Sequence, residues 1–279
     1  MPTCTTSDGV TIAFETTGHG PPIVFVHGIT DSRRDWDAVV PLLADDHECV
    51  TLDLRGHGDS GSADDYGALA MGGDVGAVVA VLGLDDVVLV GHSLGAVAVT
   101  AYAASAAMSA GSGAAGSPVV SVVNVDQSLR FSDFADALRP LEADLRSERF
   151  VEALTAVFDS MNGPMLSDVE RTRLAAHRVA ARQDVVLGVW DLVFRSTGEE
   201  LDATAAAVGS AVTVPYLALH GLDPGSDYAG WLSARVPSAV VELWPDHGHY
   251  PHLVDPERFA ARITDWCAEP RRGAGYGAD

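Results

Sequence analysis

The stretch Val87-Val88-Leu89-Val90-Gly91-His92-Ser93-Leu94-Gly95 decides how this chain is read. An apolar, largely β-branched run stops at a glycine, and an Ala-rich segment, Ala96-Val97-Ala98-Val99-Thr100-Ala101, follows the second glycine. The first half predicts a buried strand and the second a buried helix. Few residues separate the two, so the turn between them is sharp and its backbone crowded. Glycines two before and two after Ser93 remove the Cβ atoms that would collide there. Such a turn lifts the Ser93 hydroxyl clear of its strand and sets it over a helix N-terminus, where free N–H groups favour developing negative charge. A Gly-x-Ser-x-Gly pattern is weak by itself in a chain with 28 glycines. Between an apolar strand and a helix, it points to a nucleophile.

Outward from that turn the same alternation recurs. Pro21-Pro22 introduces Ile23-Val24-Phe25-Val26, a continuous apolar run suited to a strand covered on both faces, which ends in His27-Gly28-Ile29-Thr30. Before it, Thr11-Ile12-Ala13-Phe14-Glu15-Thr16 alternates after the Asp8-Gly9 turn and predicts an antiparallel hairpin. Trp36, Val39, Val40 and Leu43 are spaced as on one helix over residues 35–43. Cys49-Val50-Thr51-Leu52 is a further strand, closed by Asp53-Leu54-Arg55-Gly56-His57-Gly58-Asp59-Ser60, and a helix over residues 66–82 leads back to Val87. Strands are expected at 119–125, 214–219 and 240–244, with helices at 228–236 and 256–267. This order implies right-handed crossovers and a mostly parallel sheet flanked by helices.

Residues 127–212 carry amphipathic helical patterns and no strong strand. The segment is too long for a connection and too short for an independent domain, so it reads as a helical cap. The expected organisation is a core of residues 1–126 and 213–268, a cap of 127–212 inserted after the strand ending near Val125, and a disordered tail of 269–279. The small-residue stretch 109–117 reads as a mobile loop.

Composition narrows the function. With 279 residues and 47% hydrophobic content, the chain has ample material for one large α/β domain. Its net charge is −22, and all 17 basic residues are arginine. Such a surface disfavours nucleic acid and anionic membranes as partners and says little about the substrate. No apolar run reaches the length of a membrane span, and the N-terminus has neither a basic region nor an apolar core. Cys4, Cys49 and Cys267 are odd in number and far apart, fitting neither a disulfide framework nor a zinc site. A reducing cytoplasm is the expected compartment.

Four motifs stand in a telling order: His27-Gly28, Arg55-Gly56-His57-Gly58, Gly91-His92-Ser93-Leu94-Gly95, and Gly248-His249-Tyr250-Pro251-His252. Across roughly residues 9–268 the sequence resembles the cap-bearing α/β-hydrolases, which include esterases, lactonases, cofactor-free perhydrolases and C–C bond hydrolases. The resemblance implies an α/β-hydrolase fold with Ser93 as nucleophile. Family members that dehalogenate haloalkanes or open epoxides place an aspartate there, so Ser93 argues against both. It also implies an oxyanion hole from the N–H groups of Ile29 and Leu94, aimed at the charge of a tetrahedral intermediate.

A general base near neutral pH is best supplied by histidine. Among ten histidines, His249 is preferred because it follows the last strand by a short loop, the family's catalytic position; His247 is its main rival. His92 and His57 read as packing or hydrogen-bonding residues, and His19, His47 and His177 as solvated positions. The acid that orients the histidine is Asp126, directly after the 119–125 strand, or Asp223, in His220-Gly221-Leu222-Asp223-Pro224-Gly225; Asp246 is third. Asp53 and Asp59 are expected to brace the Arg55 loop. No metal set or cofactor signature emerges. Cap residues such as Phe131, Phe134, Phe158 and Trp190 are candidates for an apolar pocket. The expected activity is serine hydrolysis of esters or lactones, with N-acyl-homoserine lactones as the specific guess, and a small-molecule ester or lactone is the partner this reading implies. C–C hydrolysis, perhydrolysis or a slow-turnover ligand receptor would use the same residues.

Overall fold

The computed structural model describes residues 1–111 and 116–269. Its strands are β1 (Thr3–Thr5), β2 (Thr11–Gly18), β3 (Pro22–Val26), β4 (Glu48–Leu52), β5 (Val87–His92), β6 (Val119–Val125), β7 (Tyr216–His220) and β8 (Ala239–Leu243). They form one sheet in the order β1-β2-β4-β3-β5-β6-β7-β8. The pairs β1/β2 and β2/β4 are antiparallel and the rest parallel. The hairpin expected after Asp8-Gly9 is β1/β2, closed by Thr6 and Val10.

Alternation along the parallel strands divides the core. Val24, Val26, Val87 and Leu89 face one side of the sheet, while Ile23, Phe25, Val88 and Val90 face the other, and all are buried. The first side is covered by α2 (Ala68–Leu82) and α3 (Leu94–Gly111), as Met71, Val75, Val78, Ala98 and Val99 show. Trp36 and Leu43 cover the second side together with Phe259 and Ile263 of the C-terminal helix (Pro256–Ala268). α3 is long and apolar enough to span a membrane by length and composition, but here it packs against α2, β5 and β6 as a core helix.

One expected helix is broken. Residues 35–43 form a 3-10 turn, Arg33–Trp36, capped by Ser32, and then a separate short helix, α1 (Val40–Leu43). Pro41 explains the break: it has no N–H for a continuing ladder and would clash with the carbonyl a turn earlier, yet it suits a helix's first turn. The expected loop at 109–117 begins later than the pattern suggests, because α3 runs to Gly111. Residues 112–115 and 270–279 lie outside the described residues, and with them the middle of the expected loop and all of the expected tail but Glu269.

Between β6 and β7 every regular element among the described residues is helical. These are α4 (Phe131–Leu138), a 3-10 turn (Arg139–Leu141), α5 (Glu142–Leu145), α6 (Phe150–Asp159), α7 (Asp168–Ala180), α8 (Gln183–Arg195) and α9 (Gly198–Ser210). Leu138, Leu145, Leu154, Phe158 and Trp190 build an apolar cluster of their own, and the core contributes Ile29 to it. After β7 come α10 (Tyr228–Ser233), α11 (Pro251–Val254) and α12 (Pro256–Ala268).

Two glycines test how tightly the central helix is seated. A Cβ on Gly95 would lie 2.2 Å from the Val26 carbonyl oxygen, whereas one on Gly73 of α2 meets nothing within 4 Å. Alanine gains about 1 kcal/mol over glycine in a helix, and forced overpacking costs about 1–3 kcal/mol or more. Gly95→Ala should therefore lower the urea midpoint and Gly73→Ala raise it. Equal shifts would mean that α3 is free to retreat from β3.

Candidate active site

The register of the parallel strands brings their C-terminal ends to one edge. Val26 pairs with Gly91, His92 with Val125, and Val125 with Leu219, so His27, Ser93, Asp126 and His220 follow side by side. This edge is where open α/β sheets present their sites.

Ser93 sits alone between β5 and α3 with φ +51°, a left-handed conformation that costs a side-chain-bearing residue on the order of 1–3 kcal/mol. The surroundings hold it there. Ser93 N–H donates to Val125 O at 3.0 Å, and its carbonyl accepts from Ala96 and Val97 at 2.9 and 3.3 Å. A Cβ on Gly91 would lie 2.3 Å from Gly95 O, so the turn closes only with glycine there. Ser93 is itself 8% exposed, with Leu94 packed against the apolar cluster of the helical insertion.

Two residues from distant loops meet beside it. His249 Nδ1 donates to Asp126 Oδ2 at 2.6 Å, and Asp126 Oδ1 accepts from the N–H groups of Gly221 and Leu222 at 2.7 and 2.9 Å. Burial pushes the Asp126 pKa up, but the His249 bond, the nearby His249 and His220 rings and the Leu222 N–H outweigh it and hold the carboxyl below its ordinary value. With Nδ1–H committed to the carboxylate, His249 Nε2 carries the lone pair. Burial lowers the pKa of His220, whose Nδ1 is 3.8 Å from Asp126 Oδ1.

The structure separates the two aspartates left open by the sequence. Asp126 reaches His249, whereas Asp223 accepts from Gly225 N–H at 2.9 Å in an exposed turn. Asp246 is exposed. His247 bonds Pro245 O at 2.9 Å and rests against Trp244, within its own turn.

The His249 loop is held by contacts that no local pattern announces. A Cβ on Gly221 would lie 2.0 Å from Gly248 O, and one on Gly248 (φ +63°) 2.0 Å from Gly163 N. His249 N–H donates to Met161 O at 3.0 Å, so the helical insertion itself pins this loop.

Gly28 brings the loop after β3 against the Ser93 turn: a Cβ there would lie 3.3 Å from Ser93 Cβ and 2.9 Å from His92 Nδ1. That turn closes through Asp31 N–H to Gly28 O at 3.3 Å. None of the main-chain hydrogen bonds of the two turns uses the N–H of Ile29 or Leu94.

The sequence model of the alpha/beta hydrolase family matches residues 23–262, an interval that contains every residue of this constellation. The chain belongs to that family. A non-heme chloroperoxidase from Burkholderia pyrrocinia is 28% identical over 275 residues, covering 89% of this chain and 93% of that protein. A non-heme haloperoxidase from Rhodococcus erythropolis is 42% identical over 111 residues, but the match spans only 37% of this chain and 39% of that relative. Among solved structures, Est816, described as an N-acyl homoserine lactone degrading enzyme, superposes with a TM-score of 0.76 at 20% identity, covering 95% of this chain and all of that one. The eight-stranded sheet flanked by helices is thus this family's fold.

In this alpha/beta hydrolase Asp53 braces the Arg55 loop as expected, accepting from Asp59 N–H at 2.8 Å, but the Arg55 side chain itself is held by other acids. Arg55 pairs with Asp74 at 2.7 Å and Asp8 at 2.8 Å, while Asp53 and Asp59 hold Arg33, Asp59 at 2.8 Å. His27 donates from Nδ1 to Gly28 O at 2.7 Å and accepts from Leu54 N–H at 3.1 Å. The neighbouring His57 ring is pushed down to about 3, chiefly by burial and then by His27. His47 is buried rather than solvated, with Nδ1 3.3 Å from Pro21 O.

A cleft of about 260 Å³ opens between Thr30–Ser32, Gly56–Gly58 and the insertion near His177 and Arg182. Its lining mixes charged and apolar groups and includes none of Phe131, Phe134, Phe158 and Trp190, which pack in the apolar cluster of the insertion instead. Next to Ser93 in the chain, His92 belongs to a buried set with Asp35 and His252, whose ligand-capable atoms all fall within 4.8 Å of one another. Nothing in the sequence singles out Asp35, which lies in the 3-10 turn Arg33–Trp36, 217 positions before His252.

Proposed function

We propose that this alpha/beta hydrolase cleaves carboxylic esters and lactones by acyl transfer through Ser93, with residues 127–212 acting as a cap over the site. The observation that carries the reading is the 2.6 Å hydrogen bond from His249 to Asp126, beside a serine held at φ +51°. Ser93 Oγ attacks the carbonyl carbon while its proton passes to His249 Nε2. The charge developing on the carbonyl oxygen is met by the N–H groups of Ile29 and Leu94. His249 then returns the proton to the leaving alkoxide, and in a lactone that alcohol stays tethered to the acyl group. Water, deprotonated by His249, attacks the acyl-enzyme; the acid departs and Ser93 recovers its proton.

Lactones with an acyl chain are the favoured substrates within this class. Ile29 and Leu94, the candidate oxyanion donors, pack their side chains into the apolar cluster with Phe134, Phe158 and Met161, so the reacting centre borders hydrocarbon, which favours a substrate with an apolar tail. Est816, of the same fold, degrades such compounds. The test compares kcat/KM for an N-acyl-homoserine lactone series with that for p-nitrophenyl esters of matched chain length. Turnover of both, with lactones preferred at medium chain length, is expected. Ester hydrolysis without lactone turnover at any length would leave only the esterase reading, and turnover of neither would end both.

The full-length similarity to a non-heme chloroperoxidase favours a second reaction at the same acyl-enzyme. Hydrogen peroxide in place of water would release a peracid and free Ser93. Adding peroxide to an ester assay and trapping peracid measures this partition directly, and its absence would remove perhydrolysis.

A further inference from the structure

His92, the residue before the candidate nucleophile, is engaged by contacts that the acyl-transfer steps do not use. Its Nε2–H donates to the main-chain carbonyl of His249 at 2.8 Å. Its ring lies 4.7 Å from that of His249 and 4.6 Å from that of His252, centre to centre. Its Nδ1 faces Asp35 Oδ2 at 3.4 Å, without the alignment of a hydrogen bond, and the same oxygen accepts from His252 Nε2 at 3.0 Å. Asp35, His92 and His252 are all buried.

A buried carboxylate needs compensating partners, since an isolated one is strongly destabilising. Burial pushes the Asp35 pKa up, yet the His252 and His92 rings outweigh it and leave the carboxyl well below its ordinary value. The full cation nearby comes from the helical insertion. Arg173 of α7 lies 3.4 Å from Asp35 Oδ1 and 3.6 Å from Asp31 Oδ1, and Asp31 closes the loop that presents Ile29. Arg173, Asp35, His92 and the backbone of His249 therefore lie in succession, with a hydrogen bond from His92 to His249 and a 3.4 Å approach, not a hydrogen bond, between Asp35 and His92.

We propose that Asp35 and His92 are positioning residues for His249, holding its peptide so that Nε2 stays aimed at Ser93, and that Arg173 ties this support to the seated insertion. The proposal rests on His249 being the base. The side-chain bond to Asp126 fixes one edge of the imidazole but leaves rotation about its own axis to the main chain. That main chain is held by two bonds, N–H to Met161 O at 3.0 Å and C=O from His92 at 2.8 Å. Losing the second lets the ring tilt, and a misplacement of about 1 Å at a reacting group can cost about a hundredfold.

The test uses His92→Leu, which removes the donor, and His92→Gln, which keeps one near the Nε2 position. Each is read by kcat and KM on a p-nitrophenyl ester and by the rate at which a fluorophosphonate probe labels Ser93. His92→Leu should lower kcat and the labelling rate about tenfold or more, with KM within twofold of wild type, and His92→Gln should restore most of both. Should His92→Leu fail to fold, Asp35→Asn carries the test, with the same loss of kcat at steady KM expected. Wild-type kcat and labelling in His92→Leu or Asp35→Asn would overturn the relay alone. A wild-type protein inert to ester and probe would overturn the serine-hydrolase reading and the relay with it. Stoichiometric metal retained by the purified protein and lost in Asp35→Asn would overturn it in favour of a metal site.

Discussion

Ser93→Ala is expected to lower kcat/KM on esters by about five to six orders of magnitude, with a cooperative thermal melt close to wild type. The loss is this large because nucleophile and base act as one unit, so His249 without a hydroxyl has no proton to take. What remains is the binding and oxyanion contribution of the Ile29 and Leu94 amides. Stability is little affected because alanine keeps the Cβ in the same left-handed conformation, φ +51°. Ser93→Gly makes a sharper companion. Glycine adopts that φ without penalty, so the variant should be inactive and more stable than wild type by about 1 kcal/mol. A fluorophosphonate should add one phosphonyl mass to the peptide containing Ser93 in wild type and none in either variant. Ester turnover surviving Ser93→Ala at more than a few per cent would sink the acyl-enzyme.

The fold was legible where one short segment contains its own reason. Val87-Val88-Leu89-Val90 needs both faces covered, and Gly91 and Gly95 are demanded because a Cβ on the first would lie 2.3 Å from Gly95 O and one on the second 2.2 Å from Val26 O. Pattern failed where a single residue outweighs periodicity, as Pro41 does in splitting the helix expected over residues 35–43. That split also hid Asp35, which the 3-10 turn places, fully buried, against His92 and His252. The grip of Met161 and Gly163 on the His249 loop was equally invisible, because it joins segments with no shared motif. The aspartate could not be chosen for a related reason. β6 and β7 are parallel neighbours with Val125 beside Leu219, so the segments carrying Asp126 and Asp223 both leave the sheet at the same edge. What differs is three-dimensional: Asp126 has φ +54° and two N–H groups waiting for one carboxylate oxygen, while Asp223 spends its own oxygen on Gly225.

That difference makes the pair of amide substitutions decisive. Asp126→Asn should lower kcat by about four orders of magnitude, whereas Asp223→Asn should stay within about tenfold of wild type, the effect of an altered surface turn. Asparagine suits the site structurally, since it tolerates a positive φ and its carbonyl oxygen can still accept from Gly221 and Leu222. Satisfying those two donors turns the amide NH2 toward His249 Nδ1. That nitrogen must then accept rather than donate, which moves the ring proton to Nε2. The atom that should take the Ser93 proton is already protonated, so the base is lost without any change in packing. Asp126→Ala would add a second penalty by leaving the Gly221 and Leu222 donors buried and unpaired, at about 1–3 kcal/mol each, and should melt well below Asp126→Asn. Comparable kcat in the two asparagine variants would show that the 2.6 Å contact is structural and that the orienting acid lies elsewhere.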